Sequence, residues 1–297
     1  MTPARLRPEP LSVDLLVDAH AALAESPVWD ERLAELAWVD ILGGTIRRSR
    51  ANGSELQPIK FDEPIGAIAL RARGGFIAAV SHRIWTTDAR RQSRVFAVVG
   101  DSADRCRLND GKVGPDGRFW VGTMALDERS PLGALYAFDR SGKSSTMLEG
   151  VTVSNGLDWS PDARVFYYVD SPTRRVDAFD FDIDTGEISN RRPFVTADLD
   201  AEPDGLTVDS EGYVWVAYWG GWCVRRYSPS AQFDQEILVP ASQVTSCTFG
   251  GSDLGELYIT TASDGLRRPD RATQPHAGGV FAARPGPVGL SARRFGA

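Results

Sequence analysis

The feature that most constrains the fold is a unit of 39 to 48 residues that recurs six times along the chain. In each copy, a turn rich in Gly, Pro, Asp or Asn leads into an apolar strand, a loop and a second strand. One residue at the centre of the first of these strands marks each copy: Trp38, Ile77, Trp120, Tyr167, Trp215 and Tyr258. A four-stranded propeller blade takes about 40 to 50 residues. The period therefore predicts an all-β fold, a six-bladed β-propeller of four-stranded antiparallel blades.

Closure of the ring is predicted from the first strand-like segment, "LSVDLLVDA" at residues 11–19. It precedes the first repeat and can complete the last blade beside "GGVFAARP" at residues 278–285, which would cover an open sheet edge. No low-complexity linker divides the chain. We therefore expect one propeller domain over residues 1–297, with residues 1–10 as a flexible tail.

Composition narrows the classes of partner. The formal net charge of −7 argues against nucleic acid, and no window approaches the roughly 18 apolar residues of a membrane helix. The N-terminal segment has no apolar stretch typical of a signal peptide. Cys106, Cys223 and Cys247 are odd in number and widely spaced, which favours buried free thiols in a reducing compartment. The expected location is the cytoplasm, without a nucleic-acid or membrane partner.

Polar side chains recur 11 to 13 residues before four of the six central residues. They are Glu25, Asn109, Asn155 and Asp204. Asn, Asp and Gly also mark ordinary turns, so each one alone has a purely structural interpretation. Taken together, the four residues favour a functional interpretation. Their shared offset falls on the innermost strand of a blade and would bring oxygen atoms from several blades to one end of the channel. Clustered carboxylates repel one another unless a cation lies between them, and oxygen ligands suit Ca²⁺, Mg²⁺ or Mn²⁺. The equivalent positions in the second and sixth copies are near Ile65 and Ser246.

Four segments carry a resemblance to a known family: "AESPVW", "RLNDGKVGPDGRFWVGTM", "SNGLDWSPD" and "PDGLTVDSEGYVWVA". They resemble the regucalcin (senescence marker protein), gluconolactonase and luciferin-regenerating enzyme family, and the resemblance extends from about residue 14 to residue 285. It implies a six-bladed propeller that holds one divalent cation and hydrolyses a sugar lactone to an aldonic acid. The cation is left open among Ca²⁺, Mn²⁺, Zn²⁺, Mg²⁺ and Fe²⁺.

The resemblance also implies roles for individual residues. Glu25, Asn155 and Asp204 would be the metal ligands, and Asp204 would also be the general base. Arg107, Asn109 and Asp127 would contact the substrate. The family often has Glu where this chain has Asp127, so the neighbouring Glu128 competes for that role.

Two other functions stay open. One is a different hydrolase on the same scaffold, of the phosphotriesterase or aryl-esterase type, and the other is a calcium-binding regulatory propeller without catalysis. A serine hydrolase is disfavoured because the chain has three histidines and no G-x-S-x-G segment. Trp219 and Trp222 are candidates for the pocket mouth, with core packing as the alternative. The sequence does not predict which sugar is used or the oligomeric state.

Overall fold

The computed structural model describes residues 11, 13–99, 105–198 and 200–296. Within these ranges, the strands form six four-stranded antiparallel sheets, and each of the first five follows chain order from its innermost to its outermost strand. The predicted six-bladed β-propeller is confirmed. Residues 1–10, expected to be a tail, lie outside the described residues.

The strand bounds follow the sequence repeats. Blade 1 comprises β2 to β5, at Ala24–Asp30, Glu35–Asp40, Thr45–Arg50 and Ile59–Lys60. Blade 2 comprises β6 to β9, at Ile65–Leu70, Phe76–Val80, Arg83–Thr87 and Ser93–Val98. Blade 3 comprises β10 to β13, at Cys106–Val113, Phe119–Ala125, Gly133–Phe138 and Ser144–Val151.

The remaining blades have the same plan. Blade 4 comprises β14 to β17, at Ser154–Trp159, Val165–Asp170, Arg175–Phe181 and Ile188–Thr196. Blade 5 comprises β18 to β21, at Glu202–Val208, Val214–Trp219, Cys223–Tyr227 and Phe233–Leu238. Blade 6 comprises β22 to β24 and β1, at Val244–Gly250, Glu256–Thr261, Val280–Ala283 and Asp14–Val17. Helical structure in the described residues consists of a 3-10 turn at Ser171–Thr173 and α1 at Arg268–Thr273.

The ring closes in blade 6, where strands from both ends of the chain share one sheet. β1 pairs antiparallel with β24, and Leu15 lies opposite Phe281. The predicted closure by an N-terminal strand is therefore confirmed. A side-chain bond from Thr245 Oγ1 to the Ala24 carbonyl, at 2.6 Å, joins blade 6 to blade 1.

The central residue of each repeat lies on the second strand of its blade and is buried. Large aromatic rings fill the wedge between neighbouring blades, as where Trp120 meets Trp159 edge-to-face with ring centroids 5.4 Å apart. In blades 3 and 5 the acidic turn before the second strand supplies a partner for the buried indole N–H group, since Trp120 Nε1 donates to Asp116 Oδ2 at 3.1 Å and Trp215 Nε1 donates to Asp209 Oδ2 at 2.9 Å. Trp38 Nε1 is buried without a hydrogen-bond partner among the described residues, so this pairing is not repeated in blade 1. The three cysteines are buried and free, as expected.

Every innermost strand is interrupted by a bulge at the same level. The register against the second strand shifts in β2, β6, β10, β14, β18 and β22. In blade 4 the shift falls between Ser154 and Leu157, so the Asn155–Gly156 pair lies inside a strand. A Cβ atom on Gly156 would lie 2.6 Å from the Asp204 carbonyl oxygen of the next blade. The glycine therefore lets two innermost strands approach more closely than any side chain would permit.

The far end of the channel is covered by the last residues of the described chain. Gly289 N donates to the Leu254 carbonyl at 2.8 Å, and Phe295 N donates to the Leu70 carbonyl at 2.8 Å. Arg293 lies 3.7 Å from Asp158, a residue of the innermost strand β14. No helix of the described chain is long and apolar enough to cross a membrane.

Replacing Gly156 by Ala should destabilise the fold by about 1–3 kcal/mol, because the added methyl meets backbone atoms that cannot rotate away. Gly150→Ala is the control: its added Cβ meets nothing within 4 Å, and its φ of +69° adds about 1 kcal/mol of strain. The measurement is the free energy of unfolding in urea. A Gly156→Ala variant as stable as the unaltered protein would show that the close approach is not required.

Candidate active site

The structure brings four of the predicted polar side chains into one cavity. Glu25, Asn109, Asn155 and Asp204 all line a space of about 290 Å³ at the end of the channel where the innermost strands begin. Their exposed fractions are only 5% to 7%. Each lies at or directly beside the bulge of its strand, and a bulge redirects side chains that a regular strand would send into the sheet face.

A chain of hydrogen bonds crosses three blades and fixes the two amides. Arg107 Nη1 donates to Asn109 Oδ1 at 2.6 Å, and Asn109 Nδ2 donates to Asn155 Oδ1 at 3.1 Å. Asn155 Nδ2 then donates to Ser171 Oγ at 2.8 Å, which donates to the Pro203 carbonyl at 2.7 Å. Because the Asn155 amide nitrogen is held by Ser171, its oxygen faces Asn109 and keeps one lone pair for a ligand.

The two acids are destabilised as anions by their surroundings. Burial raises the pKa of Glu25 well above its ordinary value, and the charges of Asp204 and Asp110 add to the effect. Burial likewise raises the pKa of Asp204, with further contributions from Asp110 and Glu202. The charges that act most strongly on each acid are thus other carboxylates. A cation between the two acids would remove this cost.

Two further aspartates hold the segments that lead into the site. Asp40 accepts from the backbone N–H of Leu23 at 3.2 Å, just before Glu25. Asp170, at the equivalent end of β15, accepts from Val153 N at 2.9 Å, just before Asn155. The Asp that ends "VFYYVD" therefore positions the start of the innermost strand rather than contributing to the cavity wall.

The remaining wall was not predicted from the sequence, except for Trp219. Its apolar part includes Leu23, Ile41, Met124, Val153, Pro172 and Trp219. Its polar part gains Ser171 and Glu202. The only sequence signal for Ser171 is that it follows Asp170 at the mouth end of a repeat. Trp222 lies outside this wall and is 41% exposed, so of the two tryptophans only Trp219 contacts the cavity.

Asp127 and Glu128 occupy different surroundings, although they are adjacent in the chain. Asp127 is exposed and caps its own turn, accepting from Arg129 N at 3.0 Å and Ser130 N at 2.9 Å. The hydrogen bond from the Ser130 hydroxyl, with smaller contributions from these two backbone bonds, lowers the pKa of Asp127 to about 2. Glu128, with a φ of +55°, turns to the cavity and lines it beside Arg107. The geometry favours Glu128 over the predicted Asp127 as the residue that a bound molecule would meet.

The positions in the other two blades carry no such groups. In blade 2 the bulge contains Gly66 beside the buried Ile65, and in blade 6 Ser246 lines a separate cavity of about 70 Å³ toward the far end. The oxygen donors are therefore concentrated on blades 1, 3, 4 and 5.

The donor set fits a hard divalent cation. Two buried carboxylates and one amide oxygen, from Glu25, Asp204 and Asn155, are ligands that such cations prefer. Among the described residues, no group of three or more His, Cys, Asp and Glu side chains is placed to hold a metal. The amide of Asn155 is therefore needed to complete a three-ligand set.

Comparison with known proteins agrees with this architecture. The model of the SMP-30/gluconolactonase/LRE-like family matches residues 23–263. Regucalcin of Oryctolagus cuniculus is 39% identical over 280 residues, which cover 91% of this chain and 93% of that protein. A luciferin-regenerating enzyme superposes with a TM-score of 0.89 at 30% identity, over 96% of this chain and 99% of the other.

A second solved structure supports the fold alone. Regucalcin of Agrobacterium tumefaciens, described as a calcium-binding protein, superposes with a TM-score of 0.91 over 96% of this chain and 98% of its own. Its sequence identity is 24%. With the family model matched over most of the length and a curated relative at 39% identity, the chain belongs to the SMP-30/gluconolactonase/LRE-like family.

Proposed function

We propose that this protein is a metal-dependent lactonase that hydrolyses a neutral sugar lactone to its aldonic acid. The observation that carries the proposal is the pairing of two buried carboxylates, Glu25 and Asp204, with the hydrogen-bonded Arg107 and Asn109 in one cavity. Membership of a family that includes gluconolactonases supports the same chemistry. The cavity of about 290 Å³ suits a small molecule.

Glu25, Asn155 and Asp204 would hold one divalent cation. When bound, such a cation polarises an ester carbonyl and lowers the pKa of a water molecule. The protein contributes the rigidity of the ligand set, because Ser171 fixes the Asn155 amide and the Ser26 N–H group holds Glu25 Oε2. The proposed cation is Ca²⁺, Mn²⁺, Zn²⁺, Mg²⁺ or Fe²⁺, since oxygen ligands discriminate poorly among them.

Asp204 would act as the general base. It would take a proton from the water that attacks the lactone carbonyl carbon, and the ring C–O bond would then break with the proton passing to the ring oxygen as a new hydroxyl. The burial of Asp204 in the cavity wall supports this role, since one carboxylate oxygen would bind the cation and the other would accept the proton.

Arg107 and Asn109 would orient the sugar. Arg107 uses Nη1 on the Leu108 carbonyl and on Asn109, which fixes the plane of the guanidinium. Nε and Nη2 have no acceptor among the described residues and remain for the substrate oxygens. Burial lowers the pKa of Arg107, and the charges of Glu128 and Glu25 oppose that shift.

The charge of the cavity favours release of the product. Its wall contains four carboxylates, on Glu25, Glu128, Glu202 and Asp204, and one guanidinium, on Arg107. A divalent cation leaves the formal charge of this set negative. A lactone is neutral, whereas the aldonic acid is an anion, so hydrolysis creates repulsion between the product and the wall.

Turnover should require Asp204. In a pH-indicator assay over a panel of aldonolactones, chelated enzyme resupplied with one cation at a time should release acid from at least one lactone. Asp204→Ala should lower kcat by at least about 10²-fold while remaining folded, because both a ligand and the base are lost. Asp184→Ala, which removes an exposed carboxylate from the turn between β16 and β17, is the control and should keep full activity.

The same panel separates the alternatives. Organophosphate and aryl-ester substrates placed beside the lactones test for another hydrolase on this scaffold. Cation binding without acid release from any substrate would indicate a calcium-binding regulatory propeller and contradict the lactonase proposal.

Cation binding should release protons and strengthen as the pH rises. Because the pKa values of Glu25 and Asp204 are raised, both retain protons at pH values where ordinary carboxyls have lost them, and a cation must displace these protons. Calorimetry in two buffers of different ionisation enthalpy measures the release. Glu25→Gln should weaken binding by at least about tenfold, or about 1.4 kcal/mol. Unchanged affinity in that variant would exclude Glu25 as a ligand.

Substitutions of Asp127 and Glu128 should have different effects on kcat/KM. Glu128→Gln should lower kcat/KM by about tenfold, or about 1.4 kcal/mol, since it removes a carboxylate that lines the cavity and interacts with the charge of Arg107. Asp127→Asn is the matched control, and its kcat/KM should stay within about twofold because Asp127 caps its own turn. The reverse order of effects would restore Asp127 as the substrate contact.

A further inference from the structure

Glu202 contributes a carboxylate to the outer part of the active-site cavity. It is the first residue of β18, two positions before Asp204, and its side chain lines the cavity. It is exposed, and it forms no hydrogen bond or ion pair with any residue in the part of the chain that the structure describes. An ionised carboxylate is an acceptor of hydrogen bonds and not a donor. Glu202 is therefore an unused acceptor at the edge of the active site.

The position of Glu202 in its blade corresponds to that of a proposed substrate contact in another blade. The residue two positions before each polar residue of the site also lines the cavity: Leu23 in blade 1, Arg107 in blade 3, Val153 in blade 4 and Glu202 in blade 5. Arg107 and Glu202 are the polar members of this set. A guanidinium group donates hydrogen bonds and a carboxylate accepts them, whereas a hydroxyl group does both. The two side chains can thus bind different oxygens of one sugar.

Trp219 adds an apolar surface beside this carboxylate. Glu202 and Trp219 lie directly opposite each other in the pairing of β18 with β19, so their side chains project from the same face with Cβ atoms about 5 Å apart. A bridge to Gln243 ties Trp219 to blade 6, and Gln243 Nε2 donates to the Asp264 carbonyl at 3.0 Å. An aromatic ring beside a carboxylate can contact both the C–H and the O–H groups of a sugar.

The active-site cavity adjoins a second space at Glu202 and Trp219. Both residues line this neighbouring cavity of about 290 Å³, whose wall also includes Arg174, Asp200, Ala201 and Gly220. Two residues of a strand span about 7 Å, so Glu202 lies nearer the mouth than Asp204 by at most about this distance. A lactone whose carbonyl is held at the level of Asp204 would extend its other end toward Glu202 and Trp219.

We propose that Glu202 is a specificity-determining residue, whose carboxylate accepts a hydrogen bond from the terminal hydroxyl group of the side chain on the lactone ring. Trp219 packs against the C–H groups of that side chain. This inference rests on the proposed lactonase activity and adds a class of substrate, the hexonolactones that carry a hydroxymethyl group at the end remote from the carbonyl. A hydrogen bond to a charged group contributes more than one between neutral groups, so a lactone without this hydroxyl group would be used less efficiently.

Steady-state kinetics with two matched substrates test the proposal. The pair is a hexonolactone and its 6-deoxy counterpart of the same configuration, which differ by one hydroxyl group. In the unaltered protein, kcat/KM should be at least about tenfold higher for the hydroxylated lactone, or about 1.4 kcal/mol. Glu202→Ala should bring this ratio to within about twofold of one. Glu202→Gln, which keeps one acceptor oxygen, should give an intermediate ratio.

The ratio separates recognition of the hydroxyl group from a general electrostatic effect. The charge of Glu202 contributes to the raised pKa of Asp204, so its removal can change the rate for every substrate. Such a change affects both lactones alike and leaves their ratio unaltered. Glu187→Ala, which removes an exposed carboxylate from the turn between β16 and β17, is the control and should keep the ratio of the unaltered protein.

Loss of the preference in Glu202→Ala, together with its retention in Glu187→Ala, would support the inference. Equal kcat/KM for the two lactones in the unaltered protein, a preference that Glu202→Ala leaves unchanged, or hydrolysis confined to pentonolactones would overturn it and leave the lactonase activity in place. Hydrolysis of no lactone would instead contradict the proposed function, and the inference would fall with it.

Discussion

The close approach of the innermost strands is the constraint on which the rest of the structure depends. At Gly156 and Gly205 the neighbouring blade is so near that a Cβ atom would lie 2.6 Å or less from its atoms. The strands can meet at this level only because each one also bulges there. The bulge turns the preceding polar residue, Asn155 or Asp204, toward the channel axis. One backbone device thus both closes the ring and places the oxygens of the site.

The arrangement buries two carboxylic acids, which destabilises their anionic forms. Glu25 and Asp204 lie in a channel whose strongest nearby charges are other carboxylates, so their anionic forms are unfavourable in the protein alone. The hydrogen-bond chain from Arg107 to Ser171 prevents the side-chain amides of Asn109 and Asn155 from rotating. A rigid, acidic cavity of this kind is suited to bind a cation. The segment around Arg293 covers the far end of the channel. A small molecule would therefore reach the cavity from the end where the innermost strands begin.

The architecture could be predicted from the sequence because one central, mostly aromatic residue recurs in each blade. The spacing of residues such as Trp120 and Trp215 predicted the blades, and the N-terminal strand predicted the closure. The convergence of Glu25, Asn109, Asn155 and Asp204 also followed from a fixed offset. The local backbone geometry around these residues could not be predicted from the sequence. Asn155–Gly156 has the composition of a hairpin turn but lies within a strand, because the tertiary close approach decides its conformation. Glu128 rather than Asp127 reaches the cavity because of a left-handed residue in the turn, which no sequence pattern indicated.

Anomalous diffraction from a crystal soaked in Mn²⁺ tests the central claim most directly, since it locates a cation without reference to activity. The account predicts one strong peak in the channel, with an oxygen of Glu25, Asn155 and Asp204 each within about 2.6 Å of it. A channel without a peak, or a peak bound by other residues, would contradict the account.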